Sequence, residues 1–300
     1  MSETVLQVEG LIKDYGSLRA VNLLSFKVEK GSVFGILGPN GSGKSTTLGI
    51  LTGVIHSTAG SFSWFGQPGG AGMRKRLGTL LERPNFYGYM NAVDNLKIVA
   101  EIRDIDYSLI PDVLKTVKLY ERRKSRFKTY SFGMQQRLAI ASALLGDPDV
   151  LILDEPTNGL DPEGIAEIRQ MIIDIARGGK TIILASHLLD EVQKVCTDVL
   201  IMKKGEKIYS GDISGIGTES AMLEMAAANM AQLREVALTH PRIKSAHMEN
   251  GMLIATMDSD FDAAEINSYL MEYGVKLSHL TTHKQTLEDQ FLELLKNGKS

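Results

Sequence analysis

Three glycines, a lysine and two serines stand in the run Gly38-Pro39-Asn40-Gly41-Ser42-Gly43-Lys44-Ser45-Thr46, which fits G-x-x-x-x-G-K-[ST] at every fixed position. Glycines let the backbone curl until successive N–H groups point at one anion, and a helix starting at the end of the run adds positive potential. In that arrangement Lys44 reaches the β- and γ-phosphates of a nucleoside triphosphate, and the Ser45 hydroxyl ligates Mg²⁺. A second candidate group is Asp154-Glu155, two adjacent carboxylates after Val150-Leu151-Ile152-Leu153. Asp154 suits a Mg²⁺ position opposite Ser45, and Glu155 suits a base that orients, or takes a proton from, a water attacking the γ-phosphorus. Alone, the pair could merely cap the next helix, with Pro156-Thr157 turning the chain; the phosphate loop upstream favours the chemical reading. His187, in Ala185-Ser186-His187, would hydrogen-bond a γ-phosphate or the attacking water, or merely neighbour a helix cap. Tyr15 offers an aromatic face for adenine, or packs a turn beside Gly16.

These residues need elements to hold them. Ser32–Leu37 reads as a buried strand and Thr46–Leu51 as a helix, the strand–loop–helix context the phosphate loop requires. Residues 4–30 alternate as an antiparallel strand group with a turn at Lys13-Asp14-Tyr15-Gly16. Ser61–Phe65 and Leu77–Leu81 read as strands. Residues 91–145 change to helical periodicity, broken by Pro111 and by Glu121-Arg122-Arg123-Lys124. Short aliphatic strands return at Val150–Leu153, Thr181–Leu184 and Val199–Met202, separated by helices, as in a parallel sheet buried on both faces. Asp154-Glu155 and His187 then fall at strand tips, where ligands sit in open α/β sheets. Gly211–Gly217 reads as a linker to a second unit. There Asn250-Gly251 predicts a two-residue hairpin, and the order βαββαβ-α suggests a small ferredoxin-like domain ending in a helix from Thr286 to Leu295.

Composition narrows the classes. Three hundred residues allow one large domain and one small one, and a net charge of −3 argues against a dedicated nucleic-acid binder. The single cysteine, Cys196, excludes a disulfide framework, fits a reducing compartment and reads as packing. The N-terminus shows no apolar leader, and the sequence carries no uninterrupted run of about 18 apolar residues of the kind that spans a membrane.

The order Tyr15, phosphate loop, helical insert, Asp154-Glu155 and His187 resembles the nucleotide-binding subunit of an ATP-binding cassette (ABC) transporter, over residues 4 to about 212. Two further pieces carry the resemblance: Tyr130-Ser131-Phe132-Gly133-Met134, at the position of the family's L-S-G-G-Q signature, and Pro156-Thr157-Asn158-Gly159-Leu160-Asp161-Pro162, similar to its D-loop. The resemblance implies a P-loop NTPase cassette over 1–212, with a mostly parallel core sheet, an antiparallel β subdomain and a helical subdomain at about 91–145. A small α+β domain, regulatory or dimer-stabilising, is expected over 213–300. It further implies ATP and Mg²⁺ as cofactor and metal, and a head-to-tail homodimer with each ATP between the phosphate loop of one copy and Ser131 and Gly133 of the other. Asp161 would contact the partner copy. A separate transmembrane permease is implied, with the protein cytoplasmic and peripheral on the inner face of the cell membrane; no nucleic acid is expected. The loop Arg83–Asn91, with Phe86, Tyr87 and Tyr89, would dock the permease, or cover the helical insert.

Two departures stand out. Phe132 replaces the signature's first glycine, which predicts a less free backbone there, and Met134 replaces its Gln. Where the family's Q-loop carries Gln, this sequence has Glu82, able to ligate Mg²⁺ directly and to act at the hydrolytic site, or to sit as a solvated loop acid. Glu82 and the terminal segment are similar to those of bacterial peptide-antibiotic and multidrug exporter cassettes. The alternative is a soluble ABC-type ATPase acting on nucleic acid or in cluster assembly, for which the basic run Arg122–Lys128 is the one supporting feature.

Overall fold

The computed structural model describes residues 3–81, 85–213, 221–257 and 261–284. The chain divides into two compact units, Met1–Ile213 and Ser214–Ser300.

In the first unit the elements run β1 (Thr4–Tyr15), β2 (Leu18–Glu29), β3 (Val33–Leu37), α1 (Lys44–Leu51), β4 (Ala59–Trp64), β5 (Gln67–Pro68) and β6 (Leu77–Leu80). The helical insert follows as α2 (Ala92–Arg103), α3 (Ile110–Thr116) and α4 (Phe132–Leu144), joined by short 3₁₀ turns. The unit closes with β7 (Val150–Asp154), α5 (Pro162–Arg177), β8 (Thr181–Ser186), α6 (Leu189–Val195), β9 (Asp198–Lys203) and β10 (Glu206–Asp212). Two sheets result. One is antiparallel, in the order β2-β1-β4-β5; the other runs β10-β9-β3-β8-β7-β6 and is parallel except for the edge strand β10. Every residue of β3, β7 and β8 is buried, which is why these strands read as aliphatic runs and not as alternating ones. Phe26 of β2 stacks on Phe34 of β3 with ring centres 5.4 Å apart, joining the sheets through one core. Trp64 is fully buried and its indole N–H donates to the Leu51 carbonyl at 3.0 Å, so the end of α1 is tied to β4.

The register sets up the site. Leu37 pairs with Ser186 and Asp154 with Ala185, so β3, β8 and β7 end side by side along one edge. Gly38, His187 and Glu155 are the residues that step off that edge.

Local details differ from the sequence expectations. Lys13 to Tyr15 belong to β1, and only Gly16-Ser17 makes the turn, with Gly16 at φ +59°. Phe65 and Leu81 lie beyond the ends of β4 and β6; Phe65 takes a positive φ of 51° in the turn after Trp64. Gly211 and Asp212 are the end of β10, because they continue the pairing with Val199 and Asp198; the linker read over 211–217 therefore starts later. Residues 214–217 lie outside the described residues. Phe132 opens α4 in ordinary helical backbone: Ser131 takes the extended N-cap position, and the first helical residue needs no glycine freedom.

The second unit holds β11 (Ala221–Ala227), α7 (Met230–Thr239), β12 (Ile243–Glu249), β13 (Met252–Met257), α8 (Ala263–Glu272) and β14 (Leu277–Lys284), with the sheet order β12-β13-β11-β14 and antiparallel neighbours throughout. Asn250 and Gly251 both take positive φ, 47° and 82°, as a two-residue hairpin between β12 and β13 demands. Its own core joins Leu223, Met225, Leu253 and Ala255 of the sheet to Leu233 of α7 and Ile266 of α8. The helix expected over Thr286–Leu295 lies outside the described residues.

Candidate active site

The phosphate loop is built around a helix end without a side-chain cap. The residue before α1 is Gly43, in the left-handed region at φ +102°, with no side chain to accept a hydrogen bond from the first N–H groups of the helix. By contrast α2, α4 and α5 each start on a side chain that accepts such a bond: Asn91 from Asp94 N–H, Ser131 from Met134 N–H and Asp161 from Gly164 N–H. The open N–H groups at α1 are what an anion requires. Glycine is obligatory for space as well as for φ. A Cβ on Gly43 would come within 2.4 Å of the Ala20 carbonyl oxygen, and one on Gly38 within 2.3 Å of that of Met202. Gly41, at φ +80°, makes the remaining bend with Pro39, whose carbonyl accepts from Ser42 N–H at 3.1 Å. Asn40 and Ser45 are exposed and Thr46 is half-buried; Ser42 is buried, and its hydroxyl oxygen has no hydrogen-bond partner among the described residues. An uncapped helix end, an orphaned buried hydroxyl and a backbone cradle without Cβ atoms together fit a polyphosphate.

Lys44 is buried, with its ammonium 2.8 Å from the Gly38 carbonyl, 3.4 Å from that of Pro39 and 3.4 Å from Glu155 Oε1. The other carboxylate oxygen of Glu155 lies 2.8 Å from His187 Nδ1. Strand register thus brings together three residues far apart in sequence. Glu155 takes φ 47°, a left-handed conformation costing roughly 1–2 kcal/mol for a side-chain-bearing residue. It is held there by its N–H donating to Ala185 O at 2.9 Å and by its carbonyl accepting from Asn158 N–H at 3.1 Å. Asp154, buried at the tip of β7, and exposed Ser45 supply a carboxylate and a hydroxyl oxygen, a donor set suited to Mg²⁺ shared with phosphate oxygens.

The signature residues form a separate corner. The Ser131 hydroxyl accepts from Met134 N–H at 3.3 Å, and the Asp161 carboxylate accepts from Gly164 N–H at 3.0 Å. The Phe132 ring lies 3.3 Å from where a Gly159 Cβ would be, and Leu160 lies 3.7 Å from that of Gly133, so signature and D-loop pack on each other. No hydrogen bond or ion pair joins Ser131 or Gly133 to Lys44 or Glu155 among the described residues. Tyr15 ends β1, is 47% exposed, and has the Lys13 ammonium 4.9 Å above its ring. Glu82 lies outside the described residues.

Sequence reading missed the support behind the loop. Gly205 N–H donates to the Ser42 carbonyl at 2.9 Å, and a Cβ on Gly205 would stand 2.8 Å from the Ala20 carbonyl oxygen. The Lys204-Gly205 turn was the only signal for this contact, and nothing in it pointed 160 residues back.

Arg83 and Pro84 of the expected docking loop lie outside the described residues; the rest of the loop is tied to α2. Buried Asn95 clasps Tyr87, accepting from its N–H at 2.8 Å and donating to its carbonyl at 3.2 Å. Phe86 is half-buried and packs edge-on against Phe127 of the helical insert, as the covering alternative had it, while Tyr87 and Tyr89 are exposed. A trough of about 380 Å³ lies between this loop, β6 and α2, lined by Leu80, Phe86, Tyr87, Ile98 and Ile102 among others. In the basic run, Arg123 stacks on Tyr120 at 3.9 Å and Phe127 is buried, so the segment is shaped by local packing.

The chain matches the ABC transporter family over residues 21–158. It is 33% identical over 301 residues, 98% of each chain, to the bacitracin transport ATP-binding protein BcrA of Bacillus licheniformis. The chain belongs to the ABC transporter ATP-binding family. This cassette is also 37% identical over 211 residues to the lantibiotic transport ATP-binding protein SrtF of Streptococcus pyogenes, covering 70% of the cassette and 92% of that protein. Among solved structures, cbiO1 from Clostridium perfringens, part of the ABC transporter complex cbiONQ, superposes with a TM-score of 0.67 at 28% identity, over 80% of the cassette and 97% of that chain. The cassette binds nucleotide and hydrolyses ATP as the ATP-binding subunit of an ABC transporter. No helix among the described residues is long and apolar enough to cross a membrane.

Proposed function

We propose that the cassette energises a bacterial exporter of peptide antibiotics, with Glu155 as the general base of ATP hydrolysis. The observation that carries the hydrolytic role is the placement of Glu155, held in a strained backbone conformation between Lys44 and His187. The likeness to bacitracin and lantibiotic transport proteins supports the cargo class.

In this reading Lys44 and the N–H groups of Gly41 to Thr46 bind the phosphates, and Tyr15 stacks on the base. His187 orients Glu155 and meets the γ-phosphate. Ser45 and Asp154, with Glu82 as the Q-loop residue, hold Mg²⁺. The metal, when bound, neutralises charge developing on the phosphate oxygens. Two copies close head to tail, so that Ser131 and Gly133 of one reach the ATP held by the other, and Asp161 lies on the same interface. Loss of the γ-phosphate removes that bridge and reopens the pair. The trough beneath Tyr87 seats the membrane subunit on the cytoplasmic face of the membrane, and the second unit steadies the dimer or regulates its rate.

Glu155→Gln, which keeps shape and hydrogen bonding but removes the base, tests the cycle. With Mg²⁺ and ATP it should run as a dimer in light scattering, and as a monomer with ADP. A monomer under both conditions overturns ATP-driven closure. For the cargo, a host lacking the cassette should become more sensitive to bacitracin and to lantibiotics; unchanged sensitivity to both overturns that assignment.

A further inference from the structure

The basic run of the helical insert and the loop that carries Tyr87 and Tyr89 form one surface. Phe127 N–H donates to the Met90 carbonyl at 2.8 Å, Lys128 N–H donates to the Gly88 carbonyl at 3.0 Å, and Asn91 pairs with Arg126 as an isolated antiparallel bridge. The Lys128 stem passes over Gly88, its Cβ 3.6 Å from where a glycine Cβ would stand. Tyr87 and Tyr89, the residues on either side of Gly88, are both exposed, with ring centres 5.9 Å apart.

Residues 121–128 hold five cations and one acid, in a chain whose net charge is −3. Of the five, Arg123 is engaged through its side chain, which stacks on Tyr120 at 3.9 Å and donates to the Tyr120 carbonyl at 2.8 Å. Arg122, Lys124, Arg126 and Lys128 are exposed, and none makes an ion pair among the described residues. Several other cations of this unit are answered locally: Arg76 by Asp149, Arg169 by Glu191, Lys180 by Asp147 and Lys194 by Asp190, each at 2.6 Å. Four unanswered charges thus stand together beside two exposed phenol rings.

Three kinds of anion differ in what they ask of such a surface. A nucleic acid is a long polyanion and would meet the acidic remainder of the chain as well as this ridge. A specifically held acidic peptide asks for guanidinium forks fixed in place, whereas Arg122 and Lys128 stand on short 3₁₀ turns with no side-chain partner to fix them. A bilayer surface asks for neither. It attracts loosely held cations as point charges and takes tyrosine rings at headgroup depth.

We propose that this ridge rests on anionic phospholipid headgroups of the membrane at which the cassette works. Arg122, Lys124, Arg126 and Lys128 supply the charge, and Tyr87 and Tyr89 lie beside them at headgroup depth. The inference rests on the reading of the cassette as peripheral on a membrane, and it adds a contact with the lipid itself. Each exposed cation near such a surface contributes roughly fivefold in affinity, an effect that fades within about 10 Å at 0.1 M salt. Four of them hold weakly and reversibly, which orients a cassette without anchoring it.

The test is co-flotation of the full chain with protein-free vesicles at low salt. One set contains phosphatidylglycerol and phosphatidylethanolamine; the other is phosphatidylcholine alone. Wild type should float with the first and stay behind with the second, and about 1 M salt, which shortens the reach of a charge to about 3 Å, should release it. The triple variant Arg122→Gln, Lys124→Gln, Arg126→Gln should bind the anionic vesicles about a hundredfold more weakly. Its ATPase activity in solution should stay that of wild type, which shows that it is folded. Arg122→Lys with Arg126→Lys should bind within about twofold of wild type, since the surface reads charge and not a guanidinium fork. Equal binding by wild type and the triple variant overturns the proposal, and so does equal binding of wild type to both kinds of vesicle. Tighter binding to a DNA duplex than to the anionic vesicles makes the partner a nucleic acid and overturns it as well. Host membranes that retain the membrane subunit, stripped of this chain, separate the two levels of argument. If wild type binds them and no protein-free vesicle, the lipid contact fails and the membrane reading stands. If it binds neither, both fail.

Discussion

Two helix N-termini in this cassette point at phosphate in the proposed cycle, and they are built in opposite ways. Helix α1 starts on Gly43, without a capping side chain, from a loop that steps directly off a fully buried strand. Helix α4 starts on Ser131, whose hydroxyl already accepts from Met134 N–H, and it comes at the end of 3₁₀ turns in the helical insert. The first end keeps its donors open and depends on the core for its shape. The second has given one donor to its own cap, and it is steadied laterally by Phe132 on Gly159 and by Leu160 near Gly133. The difference separates a site that holds phosphate continuously from a corner suited to meeting it intermittently.

The sharpest way to break this contrast is at Glu155. Glu155→Gln should lower the steady-state ATPase rate by about 10²- to 10⁴-fold while ATP still binds, measured by phosphate release and by equilibrium nucleotide binding. A rate within tenfold of wild type would move the base elsewhere and leave the strand-tip cluster as structural. The next largest effect is expected at Gly43. Gly43→Ala forces a Cβ into the Ala20 carbonyl at a φ that disfavours it, and ATP affinity should fall by roughly tenfold or more, read by a fluorescent nucleotide. Retained affinity would mean that the loop does not need its present curl.

Ser131 sharpens the other side. Ser131→Ala should cost about 1 kcal/mol through the lost cap, a fall of a few degrees in Tm. Ser131→Asp restores a good cap but places negative charge toward phosphate. It should therefore recover Tm and not recover ATPase. If both return together, Ser131 is a cap and nothing more. The smallest effect is at Cys196: burial pushes its thiol pKa upward, so thiolate stays scarce near pH 8, and iodoacetamide should label the folded cassette at a negligible rate. Rapid labelling would show that the α6 end opens.

The contrast also explains what the sequence disclosed. The phosphate loop, Asp154-Glu155 and the parallel strands were legible because each is local: a fixed spacing, or an aliphatic run ending in charge. The Asn250-Gly251 hairpin was legible for the same reason. The meeting of Glu155 with His187 rested on strand register, which no residue near either one states. At Phe132 the sequence showed a missing glycine but not its local setting: the N-cap at Ser131 makes the next position ordinary helix, which a side chain tolerates. The Gly205 contact with Ser42 belongs to tertiary geometry, and it left no trace in spacing.

The ammonium of Lys44 has three donors, and the protein already offers it three oxygens: Gly38, Pro39 and one arm of Glu155. A triphosphate entering the cradle competes for those same donors. When it wins the donor that faces Glu155, the hold on that carboxylate loosens, leaving it with His187 and the incoming water. Linkage is reciprocal, so a change that weakens the lysine–glutamate tie also tightens nucleotide binding. The lysine acts as an interlock: the base is freed for work to the extent that fuel is present.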